Sequence, residues 1–262
     1  VPTRVTTGRC GVLPPAGKAG ENSQAVAEIV SRSDPPAQKR SACSDVEDVY
    51  QRASGDRHVS ALPNMLEGSE RPPWPAPMQI DHDHSICLAL CDIFNDSFLA
   101  QRLAFRGGTA LNKLLFDSPL RYSEDIDLVQ TKDEPTGPMI GALRKALAWL
   151  GRCRVDSAKH STHLLFRFTP DDSPDTPLNF KVEINISEHE NLFGIRQYPF
   201  EVENTWFSGK AEIASFESNE LFGTKLRALL QRRKNRDLFD SGEGLTRLDL
   251  DPAKVIASFN HY

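Results

Sequence analysis

The chain has 262 residues, 39% of them hydrophobic and 26% charged, an ordinary globular balance with room for one sizeable domain or two small ones. Its formal net charge of −5 argues against a protein that coats nucleic acid through bulk electrostatics, and no apolar run approaches the roughly 18–20 residues of a membrane span. Five cysteines without a CxxC pair fit a reducing cytoplasm better than a disulfide framework, and the opening Val1-Pro2-Thr3-Arg4 lacks the apolar stretch of a secretory signal.

Composition changes near residue 78. Residues 1–78 hold ten of the eighteen prolines and none of the fourteen phenylalanines, so they bury too little apolar surface to offset their ordering entropy. They are expected to form a disordered leader with at most a short helix around 46–53, and Met78 is a candidate start for the globular chain. Residues 84–103 then read as an amphipathic helix, with Ile86, Leu90, Ile93, Phe94 and Leu99 at helical spacing. On that helix Cys87 and Cys91 are expected as small apolar residues of one buried face. Leu103-Ala104-Phe105 reads as a short strand ending at Gly107-Gly108, 109–116 as a helix, 125–130 as a strand and 139–150 as a helix. Strands are expected at 152–158, 162–169 and 178–186, followed by a loop region containing Gly194 and Pro199. A helix over 219–233 opens an all-helical tail, whose last helix starts at the Asp251-Pro252 cap. The expected division is a leader over 1–78, a core over 79–217 and a helical lobe over 218–262.

Chemistry concentrates in three places. Gly107-Gly108-Thr109 lies between a strand and a helix, where the backbone can turn sharply and offer the helix's free N–H groups to phosphate oxygens. Asp125 and Asp127 alternate with Ile126 and Leu128, so both acids share one face of a strand. Neighbouring carboxylates repel, and a magnesium ion, which takes hard oxygen ligands, relieves the repulsion. Glu183, beside Lys181 and Asn185 on the polar face of the 178–186 strand, is the candidate third metal ligand and acceptor-activating base. The tail adds a basic run of Lys225, Arg227, Arg232, Arg233, Lys234 and Arg236 without an intervening acid, with Lys225 and Arg232 on one helix face. Such a run suits a triphosphate or an RNA backbone.

The string Phe105-Arg-Gly-Gly-Thr-Ala-Leu-Asn-Lys113, followed by Arg121-Tyr-Ser-Glu-Asp-Ile-Asp-Leu128, closely resembles the AbiEii/AbiGii toxins, nucleotidyltransferase-like toxins of type IV toxin–antitoxin systems that include the MenT-like branch. A later family block is matched by Lys225-Leu226 and by Arg236-Asp237-Leu238-Phe239-Asp240, and the resemblance covers about residues 79–262. It implies an α+β fold with a polymerase-β-like core, a mixed sheet with helices, plus a C-terminal helical lobe. It also implies that Asp125 and Asp127 bind metal, that Gly107, Gly108, Thr109, Arg121 and Ser123 sit at the nucleotide, and that Lys225 and Asp237 complete the pocket. The chain stops soon after the last family block, so the lobe is expected to be truncated.

The reaction so implied is in-line attack by an acceptor hydroxyl on the α-phosphate of an NTP, with Mg2+ or Mn2+ as cofactor and pyrophosphate released. The favoured acceptor is RNA, by the resemblance the 3′ end of tRNA, in the cytoplasm and alongside a cognate antitoxin. Nucleotidylation of a protein or small molecule, and a degenerate relative that binds nucleotide or antitoxin without turnover, stay open. Four further motifs are set aside. Residues 11–18 imitate a phosphate loop with the wrong spacing, Asp81-His82-Asp83-His84 and Asp249-Leu250-Asp251 read as helix caps, and Glu188-His189-Glu190 reads as loop.

Overall fold

A computed structural model describes residues 74–168, 177–203 and 208–262. The expected leader, its short helix at 46–53 and the motif at 11–18 lie outside the described residues, apart from the stretch 74–78. In chain order the elements are α1 (Pro77–Asn95), α2 (Ser97–Ala100), β1 (Leu103–Arg106), α3 (Gly107–Leu114), β2 (Asp125–Gln130), α4 (Thr136–Ala146), β3 (Arg152–Ser157), β4 (Ser161–Phe168), β5 (Leu178–Asn185), β6 (Ile195–Glu203), β7 (Ser208–Phe216), α5 (Ser218–Arg232), α6 (Asn235–Arg247) and α7 (Pro252–His261).

The sheet has seven strands in the order β3-β4-β5-β2-β1-β7-β6. The pairs β2–β5 and β1–β7 are parallel and the other four are antiparallel, so the fold is α+β on a mixed sheet. Alternation along the central strands sorts the side chains cleanly. Phe105, Ile126, Leu128, Leu164, Phe166, Val182 and Ile184 are each at most 1% exposed and join one hydrophobic core, to which α1 adds Ile86, Leu90 and Ile93 and α4 adds Met139 and Leu143. The residues between them, Arg106, Asp125, Asp127, His163, Lys181 and Glu183, are only partly buried and face away from that core.

Several boundaries differ from the sequence reading. The first helix starts at Pro77, with Pro in its first turn, and ends at Asn95 rather than near 103. Asp96 breaks it: its backbone is extended, and its carboxylate accepts from the N–H groups of Phe98 and Leu99 to open a second, one-turn helix. As a result Asp81-His82-Asp83-His84 lies inside α1 rather than at its start. There Asp81, His82 and His84 are buried, His82 Nε2 contacts the Asn179 carbonyl at 3.3 Å, and Asp83 pairs with Lys113 at 2.8 Å. Cys87 and Cys91 are free and buried on α1, with Cys87 Sγ 3.3 Å from Lys113 Nζ.

The region expected as loop after β5 contains the β6–β7 hairpin. Pro199 makes β6 read as a non-strand, yet β6 is an edge strand, the place in a sheet where proline is tolerated. β7 has a modest apolar pattern, but its buried end, Ile213 to Phe216, is wedged against β1, and Ser215 Oγ donates to the Phe105 carbonyl at 2.6 Å. Beyond it, α5 is capped by Glu217, whose carboxylate accepts from the N–H groups of Asn219 and Glu220, and Asp251 caps α7 in the same way, as its position before Pro252 suggested. The Ser258 hydroxyl of α7 donates to the Glu220 carbonyl, which joins the last helix to α5.

Candidate active site

The strand register assembles the polar face of the sheet. Asp127 stands opposite Arg106 on β1 and opposite Glu183 on β5, and Glu183 in turn stands opposite His163 on β4. One row of side chains therefore runs Arg106, Asp127, Glu183, His163 across four strands. Asp125, two residues before Asp127, is opposite Lys181. Lys181 Nζ lies 3.4 Å from Asp125 Oδ2 and 3.2 Å from Glu183 Oε2, and His163 Nε2 lies 3.6 Å from Glu183 Oε1. Burial, then the charges of Glu183 and Asp125, push the Asp127 carboxyl up to about 6. Burial alone would lower the Lys181 ammonium, but Asp125 and Glu183 outweigh it and hold that group above its ordinary value.

The glycine turn closes over these acids. Gly107 has φ +81, and a Cβ built on it would overlap the Asp127 carboxylate, so both its conformation and its space demand glycine. A Cβ on Gly108 would collide with the Arg121 guanidinium. Thr109 and Ser123 tie the turn to β2. The Thr109 hydroxyl donates to the Asp125 carbonyl at 2.6 Å, and since that uses its one proton, the Ser123 hydroxyl donates to Thr109 Oγ1, also at 2.6 Å. Gly107→Ala should cost about 1–2 kcal/mol from the left-handed backbone alone. It should also push the Asp127 side chain aside, and the two effects together are read as a lower unfolding temperature; an unchanged temperature would contradict the steric role given to this turn.

Behind the turn lies a buried charge cluster supplied by the helical tail. Lys225 Nζ bridges Asp237 Oδ1 at 2.8 Å and Asp240 Oδ2 at 2.5 Å, and the Lys225 side chain is only 5% exposed. Asp240 also takes a two-pronged hydrogen bond from Arg121, Nε and Nη2 each at 2.6 Å. Burial would raise the Asp237 carboxyl, but Lys225, with Arg232 and Arg236, lowers it on balance. Arg121, expected at the nucleotide, thus spends its guanidinium on Asp240 and the Tyr122 carbonyl.

A cleft of about 380 Å³ collects Gly107, Gly108, Asp125, Asp127, Glu183 and Lys225, whereas Thr109, Arg121, Ser123 and Asp237 sit outside its lining. Its far wall is the α5–α6 junction, from which Arg227, Arg232 and Arg236 face in. Sequence reading did not single out Asp240, Arg106, His163 or the role of Lys181, and it set Glu188 aside as loop. Glu188 is in a loop, but it accepts from Arg106 at 2.8 Å and Asn185 at 3.0 Å and lies 3.8 Å from Arg227. Only the register, which pairs Arg106 with Asp127, could have pointed to it. Among the described residues, no three ligand side chains already converge as a cation cage. The donor set still suits a hard divalent cation: three carboxylates on two registered strands, roofed by a turn without side chains.

The chain matches the family described as nucleotidyl transferase AbiEii toxin, Type IV TA system, over residues 88–262. No curated protein matches it. Among solved structures, MenT4, a nucleotidyltransferase toxin from Mycobacterium tuberculosis H37Rv, aligns at 20% identity with a TM-score of 0.52, covering 75% of this chain and 66% of its own. The likeness is one of fold, and this chain spans about two thirds of that toxin's length. A protein from H. pylori described as a nucleotidyltransferase aligns at 18% identity and a TM-score of 0.46 over 63% of this chain and 67% of its own. An antigenic nucleotidyltransferase-like protein from Paracoccidioides brasiliensis aligns at 14% and 0.41 over 67% and 86%.

Proposed function

Because the chain belongs to the AbiEii nucleotidyltransferase toxins of type IV toxin–antitoxin systems, we propose that it uses Mg2+ or Mn2+ to transfer NMP from an NTP to an RNA acceptor, the 3′ end of tRNA, and so blocks translation. The observation that carries this reading is the juxtaposition of Asp127 with Gly107, which brings the acid row and the N-terminus of α3 to one cleft. Asp125, Asp127 and Glu183 would hold the cation, which would supply charge neutralisation on the phosphates and a lowered pKa for the attacking hydroxyl. Gly107 and Gly108 would receive the polyphosphate on backbone N–H groups, where the helix dipole favours negative charge. Lys225, fixed by Asp237 and Asp240, would present a rigid ammonium to the same phosphates. Glu183, which stands beside His163 in the row, would accept the acceptor's proton.

The acceptor's polyanion would lie on the α5–α6 lip, where Arg227, Arg232 and Arg236 line the cleft and Arg233 and Lys234 are exposed beside them. This lip favours RNA over a small acceptor. Among the described residues no helix is long and apolar enough to cross a membrane, and we place the reaction in the cytoplasm under control of an antitoxin. Incubation with labelled NTPs, Mg2+, total RNA and a protein extract tests the reading: label in tRNA supports it, label in protein or small molecules points to another acceptor, and no label contradicts transfer.

The raised Asp127 carboxyl adds a pH signature. Below about pH 6 the group keeps its proton and a cation must displace it, so Mn2+ affinity is expected to fall about tenfold per unit there and to level off above. For the metal-free fold the sign is opposite. The folded value lies above the ordinary 3.8, so this group's contribution to stability is greatest at low pH and declines as pH rises from about 4 through about 6. Isothermal titration across pH 5–8 checks the first trend and denaturant unfolding in EDTA the second.

A further inference from the structure

The acid row is not bare. Between Asp125 and Glu183 the chain places a cation of its own, the Lys181 ammonium, 3.4 Å from one carboxylate and 3.2 Å from the other, inside the cleft. The position is fixed twice. Lys181 is the registered partner of Asp125 on the adjacent parallel strand, and it stands two residues before Glu183 on the same face of its own strand. An ordinary surface lysine has water as its alternative partner; this one is about two-thirds buried and meets two acids that would otherwise repel each other and Asp127.

We propose that Lys181 is the built-in counter-ion of the metal-free site, that its ammonium and the divalent cation compete for Asp125 and Glu183, and that it thereby sets how tightly the metal binds. The inference rests on the metal-dependent reading above and names the residue that regulates metal loading at that site. Three carboxylates and one ammonium leave two uncompensated negative charges, the complement of one divalent ion. With Lys181 in place two of the three acids, Asp125 and Glu183, are turned toward its nitrogen, in keeping with the lack of a preformed three-ligand cage among the described residues. The side chain is long and flexible enough to swing aside within the cleft, where the polyphosphate of an incoming nucleotide offers it a new partner. Metal entry would then be favoured when nucleotide arrives, which limits idle metal binding by a toxin at rest.

The test is Mn2+ binding to the full chain, followed by electron paramagnetic resonance at pH 7.5, for wild type, Lys181→Met, Lys181→Arg and Asp127→Asn. Removing the competing charge should tighten Mn2+ binding by about tenfold or more in Lys181→Met, while Lys181→Arg stays near wild type. In EDTA, Lys181→Met should unfold at a lower temperature than wild type, and Mn2+ should raise that temperature by a larger increment. Equal or weaker Mn2+ binding by Lys181→Met, with wild-type binding that Asp127→Asn abolishes, overturns the role of Lys181 and leaves the metal reading standing. Failure of wild type to bind Mn2+ at all, with or without nucleotide, overturns both. If Lys181→Met does not fold, Lys181→Gln is the substitute and is read by the same outcomes.

Discussion

Asp127→Asn is expected to lower nucleotide transfer by three orders of magnitude or more while leaving the metal-free fold at least as stable as wild type. Two separate consequences of one position are involved. As a proposed cation ligand, the carboxylate supports several kcal/mol of charge stabilisation in phosphoryl transfer, and each 1.36 kcal/mol is tenfold in rate, so about 10³-fold is a modest figure. As a partly buried acid beside Glu183 and Asp125, with its carboxyl pushed up to about 6, the same group opposes folding at neutral pH. The asparagine amide keeps the shape and removes the repulsion. A labelled-NTP assay paired with thermal unfolding in EDTA reads both effects. A variant that is inactive because it is unfolded, or one that is fully active, would each refute the argument.

The second large effect concerns stability. Asp240→Ala removes the one carboxylate shared by Arg121 and Lys225, whose side chains are 17% and 5% exposed. Breaking a buried ion pair from one side leaves uncompensated charge and typically costs about 3–5 kcal/mol. Lys225 retains Asp237, which moderates the loss, whereas among the described residues Arg121 retains the Tyr122 carbonyl alone. For a folded region of this size the unfolding temperature should drop on the order of 10 °C. Asp240→Asn, which can keep part of the hydrogen bonding, should lose less. Because the cluster joins the loop before β2 to α6, the variant should also lose activity through misplacement of Lys225. A fall below about 1 kcal/mol in denaturant unfolding would show that the cluster is not what holds the tail to the sheet.

These two positions also mark what could be read from the sequence. The glycine turn and the paired acids are local: a few consecutive residues and the period of a strand suffice to put Asp125 and Asp127 on one face. Placing Glu183 needed only alternation on another strand whose apolar side was already clear. The β6–β7 hairpin escaped because Pro199 reads as a breaker until β6 is known to be an edge, and because β7 owes its place to a neighbour more than 100 residues away. Asp240 ends the Arg236–Asp240 segment, but its bond to Arg121 spans 119 residues, and no periodicity encodes it. Arg106, Glu188 and His163 became visible only when the register set four strands side by side. The end of α1 was missed for a different reason: apolar periodicity continues past Asn95, and only the capping bonds of Asp96 reveal the break.

The strand acids and the glycine turn are expected to serve a single cation carrying a nucleotide polyphosphate. A crystal soaked with Mn2+ and a non-hydrolysable NTP decides this by anomalous scattering. The expected peak is bounded by Asp125, Asp127 and Glu183 beneath Gly107, with the phosphates against the N–H groups of Gly107 and Gly108 and the Lys181 ammonium displaced. Manganese bound elsewhere, or a nucleotide whose phosphates avoid that turn, would contradict it.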